Sequence, residues 1–222
     1  MYTGVVSRID PSTNTIDKTV AVGPNPEEMV IVNKSLYVTN SDGNNYNAGY
    51  ANGKSVSKIS LSDFVEEKKI AVGLNPTKIT ADVLGNVLVL CMGDYSATPA
   101  TVWKINAEDE ATSMNIPATI MDIKDNSLYV INAPYGAPSI TYTVYNTSSG
   151  AVEKENFVSA PVDAPAGIAV HSDGRIFITS YTLVGGFASY KTPGYVSEYS
   201  SDGTFVKKYD VGVGAVSMTF LK

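Results

Sequence analysis

Short runs in which apolar and polar residues alternate, separated by turns rich in Gly, Pro, Asn and Asp, recur from one end of the chain to the other. Five of them superpose: VSRID from Val6, VSKIS from Val56, VWKIN from Val102, YTVYN from Tyr142 and VSEYS from Val196. Alternation of period two marks a half-buried strand, because successive side chains point to opposite faces. Their last residues, Asp10, Ser60, Asn106, Asn146 and Ser200, stand 50, 46, 40 and 54 residues apart, within or near the period of a repeated four-stranded sheet. A polar turn follows most of them, then a second strand such as KTVAVG or KKIAVG, which predicts a hairpin.

Each hairpin leads into a tight corner: GPNP at Gly23–Pro26, GLNP at Gly73–Pro76, NIPA at Asn115–Ala118, DAPA at Asp163–Ala166 and GVGA at Gly212–Ala215. After the corner comes a small or apolar strand (MVIV, KITA, IMDI, GIAV, VSMTF) and, in four cases, a further strand: LYVTN, VLVLC, LYVIN and IFITS. The unit is corner, strand a, turn, strand b, long loop, strand c, turn, strand d. A lone sheet of this composition cannot cover both its faces, whereas sheets stacked radially bury each against its neighbours. The expected fold is therefore all-β, a β-propeller of four-stranded antiparallel blades with about five blade equivalents in a single domain. Repeats are expected over 1–23, 24–73, 74–117, 118–163 and 164–212, with a final strand in 213–222. This inventory is one strand b short of five closed blades, and the missing strand is expected upstream of Met1. No stretch sustains a period of 3.6 over helical length, so helices should be nearly absent.

Composition narrows the function. With 16 Lys and Arg against 22 Asp and Glu, the net charge of −6 lacks the basic footprint of a nucleic-acid binder. The only cysteine, Cys91, follows Val87, Leu88, Val89 and Leu90, which predicts a buried, unreactive thiol and no internal disulfide. The chain has no apolar run of membrane-spanning length and no leader-like N-terminus. Either a cytoplasmic location or the loss of an export signal accounts for that.

The sequence Leu36-Tyr37-Val38-Thr39-Asn40, preceded by Val22-Gly23-Pro24-Asn25-Pro26 and by Val6 to Asn14, resembles the YVTN repeat of surface-layer-type and YncE-like propellers. A weaker echo is Leu128-Tyr129-Val130-Ile131-Asn132. The long Tyr- and Asn-bearing loops are similar to those of extracytoplasmic Bacteroidetes propellers of unknown function, some of which resemble surface lipoproteins that capture corrinoids beside an outer-membrane vitamin B12 transporter. The resemblance implies the propeller fold and an extracytoplasmic place, at the cell surface or in the periplasm. It also implies seven blades in the intact protein, of which up to two N-terminal ones are expected to be absent here.

Catalytic constellations are sparse. The only histidine, His171, lies in the turn HSDGR between strands a and b and reads as a solvated turn residue. Asp42-Gly43-Asn44-Asn45 offers hard oxygen ligands but lacks the spacing and terminal Glu of a calcium loop, so a polar loop without metal is expected. Glu66 to Lys69 and Glu108 to Glu110 read as solvated turns and edges without function. The loops between strands b and c stand apart by their length: Ser41–Lys54, Met92–Ala100, Ala133–Ile140 and Tyr181–Gly194. Alternating strand direction brings all of them to one propeller face. Tyr and Asn join flat apolar surface to a polar handle, so the expected ligand-binding residues are Asn44, Asn45, Tyr46, Tyr50, Tyr95, Tyr135, Tyr181, Phe187 and Tyr190. Packing of these aromatics against the rim is the competing explanation. The leading expectation is a non-enzymatic binding propeller, with no cofactor, that captures a polar small molecule, in its sharpest version a corrinoid. A scaffold that meets a cell-surface protein such as an outer-membrane transporter is the alternative. A propeller lyase or hydrolase is the third reading and would need an acid–base or metal cluster.

Overall fold

The computed structural model describes residues 4–135 and 139–220. The chain divides into two compact units, Met1–Pro117 and Ala118–Lys222. Unit 1 begins with a hairpin of β1 (Gly4–Asp10) and β2 (Thr15–Val22). Two four-stranded antiparallel sheets follow, their strands in chain order. One holds β3 (Pro26–Val32), β4 (Ser35–Asn40), β5 (Ser55–Ser60) and β6 (Glu66–Ala71). The other holds β7 (Pro76–Ala81), β8 (Val87–Cys91), β9 (Thr101–Ile105) and β10 (Ala111–Pro117).

Unit 2 repeats the plan with β11 (Ile120–Lys124), β12 (Ser127–Asn132), β13 (Thr141–Asn146) and β14 (Val152–Glu155). Its second sheet comprises β15 (Pro165–Val170), β16 (Ile176–Ser180), β19 (Tyr195–Tyr199) and β20 (Phe205–Asp210). A small separate hairpin, β17 (Leu183–Val184) with β18 (Phe187–Ala188), is inserted between β16 and β19. The expected repeat is thus observed: LYVTN, VLVLC, LYVIN and IFITS are each the second strand of a sheet. The one helical segment among the described residues is a 3₁₀ turn, Gly43–Ala48.

The cores lie between sheets, which explains why the second strands read as near-continuous apolar runs: both of their faces are covered. Leu36 and Val38 of β4 pack with Val6, Ile59 and Phe64 on one side, while Tyr37 joins Ile79, Val87, Val89 and Ile105 on the other. In unit 2, Ile131, Tyr142 and Phe157 meet Ile168, Ile176, Ile178 and Tyr199. Ile59 is fully buried, and truncating such a side chain to Ala costs about 2–5 kcal/mol.

Polar staples fix neighbouring sheets. The Glu28 carboxylate of β3 accepts the Ile79 N–H of β7 at 3.3 Å and the Lys78 ammonium at 2.6 Å. The Asp122 carboxylate of β11 accepts the Val170 N–H of β15 at 2.7 Å. Both carboxylates take the amide one residue past their own equivalent on the next first strand. The Thr residues near the ends of β4 and β16 serve the backbone where the ladder shifts register: Glu28 N–H donates to Thr39 Oγ1 at 3.1 Å, and Thr179 Oγ1 donates to the Gly167 carbonyl.

Three expectations are corrected. Residues 215–220 form no strand. They run against β15, so close that a Cβ on Gly167 would lie 2.2 Å from the Val216 carbonyl oxygen, and the Phe220 ring meets His171 at 4.7 Å and Phe177 at 5.4 Å. A segment lying on a sheet face without a neighbour in its own plane has no ladder to join. Asp109 is not a solvated turn residue. Its left-handed backbone (φ 60°) aims the carboxylate inward, where it accepts Lys58 Nζ at 2.9 Å and Tyr37 OH at 3.3 Å with only 14% of its side chain exposed. His171, finally, is half-covered by Phe220 rather than solvated.

Candidate functional site

In unit 1 the long loops after β4 and β8 come together. The first is a folded object rather than a flexible tether. Asp42 is buried, and its Oδ2 accepts Asn52 N–H at 2.9 Å, Asn45 Nδ2 at 3.0 Å and Asn52 Nδ2 at 3.3 Å. The preceding corner holds the loop base, through Ser41 N–H to the Asn25 carbonyl and Asp42 N–H to the Pro24 carbonyl, both at 3.1 Å. Asn75 N–H clamps the far end by donating to the Gly53 carbonyl at 2.6 Å. The shorter loop is shaped by Asp94, whose Oδ1 accepts Thr98 N–H at 2.8 Å and Ser96 N–H at 2.9 Å. These two amides hold the Asp94 carboxyl below its ordinary pKa.

This scaffolding presents Tyr50 and Tyr95 to one another edge to face, with ring centroids 6.2 Å apart and planes at 64°. Both tyrosines have left-handed backbones, φ 56° and φ 59°, a conformation that costs a residue with a Cβ roughly 1–2 kcal/mol. Partial desolvation, then the neighbouring Tyr95 and Asp94, raises the Tyr50 phenol pKa. Tyr46 and Asn44 stand exposed on the same loop, Tyr46 at 65%. Asn45 is half-buried, with its Nδ2 donating to Asp42 Oδ2 at 3.0 Å.

In unit 2, the loop that joins β16 to β19 brings Tyr181 and Tyr190 together edge to face at 4.9 Å. Beyond them β17 and β18 pair Leu183 with Ala188 and Val184 with Phe187 across Gly185-Gly186. Both glycines have positive φ, 61° and 85°, as a two-residue hairpin turn requires. Leu183 and Val184 escaped the sequence reading, although Gly-Gly flanked by apolar pairs is itself a hairpin signal. Tyr135 is almost fully exposed, and the rest of its loop over 136–138 lies outside the described residues.

The opposite ends of the strands carry a polar network in unit 2. His171 Nδ1 lies 2.8 Å from Asp173, whose other oxygen accepts Arg175 Nε at 2.9 Å. Arg175 continues to Glu198 at 3.0 Å, which also accepts Tyr209 OH at 2.5 Å. The Arg175 N–H, then His171 and the Arg175 side chain, hold Asp173 well below the usual carboxylate range. Among the described residues no three His, Cys, Asp or Glu side chains are gathered as a metal site.

No family model matches the chain, and no curated protein matches it by sequence. Solved structures do. The chain is similar to hydrazine synthase of Kuenenia stuttgartiensis, with 18% identity, a TM-score of 0.66, and cover of 96% of this chain and 61% of that one. It is similar to a functionally unknown protein of Desulfotomaculum acetoxidans at 12% identity and TM-score 0.60, covering 95% and 63%, and to a luciferin-regenerating enzyme at 11% and 0.56, covering 93% and 69%. The chain thus spans about three-fifths of the length of the first of these. At such identities the likeness concerns fold alone, and the fold is a β-propeller-like arrangement of about five blades.

Proposed function

We propose that the chain is a non-enzymatic binding propeller whose unit 1 loops, 41–54 and 92–100, receive a large polar small molecule of corrinoid type. The supporting observation is the pair Tyr50 and Tyr95, two aromatics from different loops, both held in a costly left-handed conformation. Strained residues of this kind gather at ligand clamps. A flat ligand with amide-bearing edges matches the two rings and their hydroxyls, with Asn44 and Tyr46 exposed on the same loop as Tyr50. The nearby carboxylates are committed to loop structure, Asp42 to three amide donors and Asp94 to two. That argues for recognition over acid–base chemistry. An extracytoplasmic place rests on the YVTN-like pattern of Leu36–Asn40.

Calorimetric titration of the whole chain with cyanocobalamin tests the reading. Heat is expected with the native sequence, with at least about tenfold weaker binding in Tyr50→Ala and in Tyr95→Ala and no change in His171→Ala. Absence of heat with the native chain removes the corrinoid reading.

A further inference from the structure

We propose that the hairpin formed by β17 and β18 is a docking finger that inserts its tip shallowly into the surface of a lipid bilayer. This goes beyond the ligand reading and does not depend on it. Leu183, Val184 and Phe187 are exposed at 41, 58 and 71%, and Tyr190 at 72%. Four large apolar or aromatic side chains within eight residues is a patch that calls for a partner. The finger nevertheless has a fixed shape. Its Gly-Gly turn closes the tip, Ser189 N–H donates to the Thr182 carbonyl at 2.9 Å, and Thr182 Oγ1 donates to the Pro193 carbonyl at 2.8 Å. Gly194 N–H and Val211 N–H tie the base to the end of β20 at 3.2 and 3.1 Å. A structure built this firmly at its base, with none of its tip buried, is ordered for something outside itself.

Side-chain chemistry along the finger selects a bilayer. The tip is purely apolar. At its base the pair Tyr181 and Tyr190 supplies rings with hydroxyl handles, the residue type that settles at the headgroup level. Lys191 follows, with a stem long enough to reach phosphate. Residues 181–194 contain no Asp or Glu, in a chain whose net charge is −6. Asp163 and Asp210 stand at the sheet end beside Tyr195. A protein cleft would impose no such order of apolar tip, aromatic belt and cation.

Flotation of the native chain with phosphatidylcholine vesicles, with and without added phosphatidylglycerol, tests this. The native chain is expected to float with both. Val184→Asp and Phe187→Asp should each lower the bound fraction about tenfold or more, and Lys191→Gln should weaken binding severalfold on the anionic vesicles only. Both tip positions are exposed, so circular dichroism should be unchanged. The proposal is overturned if the native chain binds neither vesicle, if Phe187→Asp floats as well as the native chain, or if the finger captures a protein while vesicles are ignored. Titration of Val184→Asp with cyanocobalamin should match the native chain, which keeps failure here distinct from failure of the ligand reading.

Discussion

The loops over 41–54 and 181–194 have the same length and the same place in the repeat, between a second and a third strand, yet they solve opposite problems. The first turns inward. Asp42 gathers three amide donors, and the chain wraps round it in a 3₁₀ turn. The second turns outward, with no acid to gather donors and two apolar pairs that close across Gly185-Gly186. Loop length alone therefore does not define a binding surface. One buried acceptor makes a rigid polar platform, whereas an apolar hairpin without a core of its own makes a projection.

The sharpest way to break this comparison is to remove the acceptor. Asp42→Ala leaves Asn45 Nδ2 and two Asn52 donors without their partner, and the loss of a buried charged acceptor should destabilise the chain by about 2–3 kcal/mol in urea unfolding. Cyanocobalamin binding should vanish with it, while vesicle flotation persists. The sheet beneath should survive. Burial pushes the Cys91 thiol pKa up to about 12, so the thiol should resist labelling at neutral pH in this variant as in the native chain. Rapid labelling would mean that loop and sheet open together.

Next in size is the strain. In Tyr50→Gly and Tyr95→Gly the left-handed backbone becomes free of cost while the ring is lost, so stability should change by no more than about 1 kcal/mol. Ligand binding should nevertheless fall at least about tenfold. If instead stability drops well beyond that, the rings serve packing, and the strain has no functional meaning.

The smallest effect is expected from pH. Asp94 has a folded pKa below its ordinary value near 3.9, so its contribution is present above that ordinary value and is lost as pH falls through the folded one. Ligand affinity in unit 1 should hold at the ordinary carboxylate pKa and decline only as pH falls through the lowered folded one, and Asp94→Asn should flatten that limb. Vesicle association through 181–194, which has no carboxylate, should not follow it. Equal acid sensitivity of the two activities would erase the distinction.

What the sequence determined by itself was everything that follows from local periodicity. Val87 to Cys91 was legible as a strand with a buried Cys91, the spacing of Asp10, Ser60, Asn106, Asn146 and Ser200 fixed the repeat, and the Pro- and Gly-bearing corners marked where each sheet begins. Tyr50, Tyr95, Tyr181 and Tyr190 were legible as loop aromatics because length and composition singled out their loops. Their pairing was not, since Tyr50 and Tyr95 are brought together by loops from different sheets, each loop shaped by its own hydrogen bonds to Asp42 or Asp94. Asp109 illustrates the same limit: three acids in a turn read as solvated, but only the neighbouring sheet supplies Lys58 and Tyr37. The segment over 215–220 has the alternation of a strand, and the tertiary structure leaves it without a ladder. Alternation specifies which face of a strand is apolar, whereas a strand, a staple or a buried acid also needs a partner from far along the chain, and only stacking of the sheets decides where that partner stands.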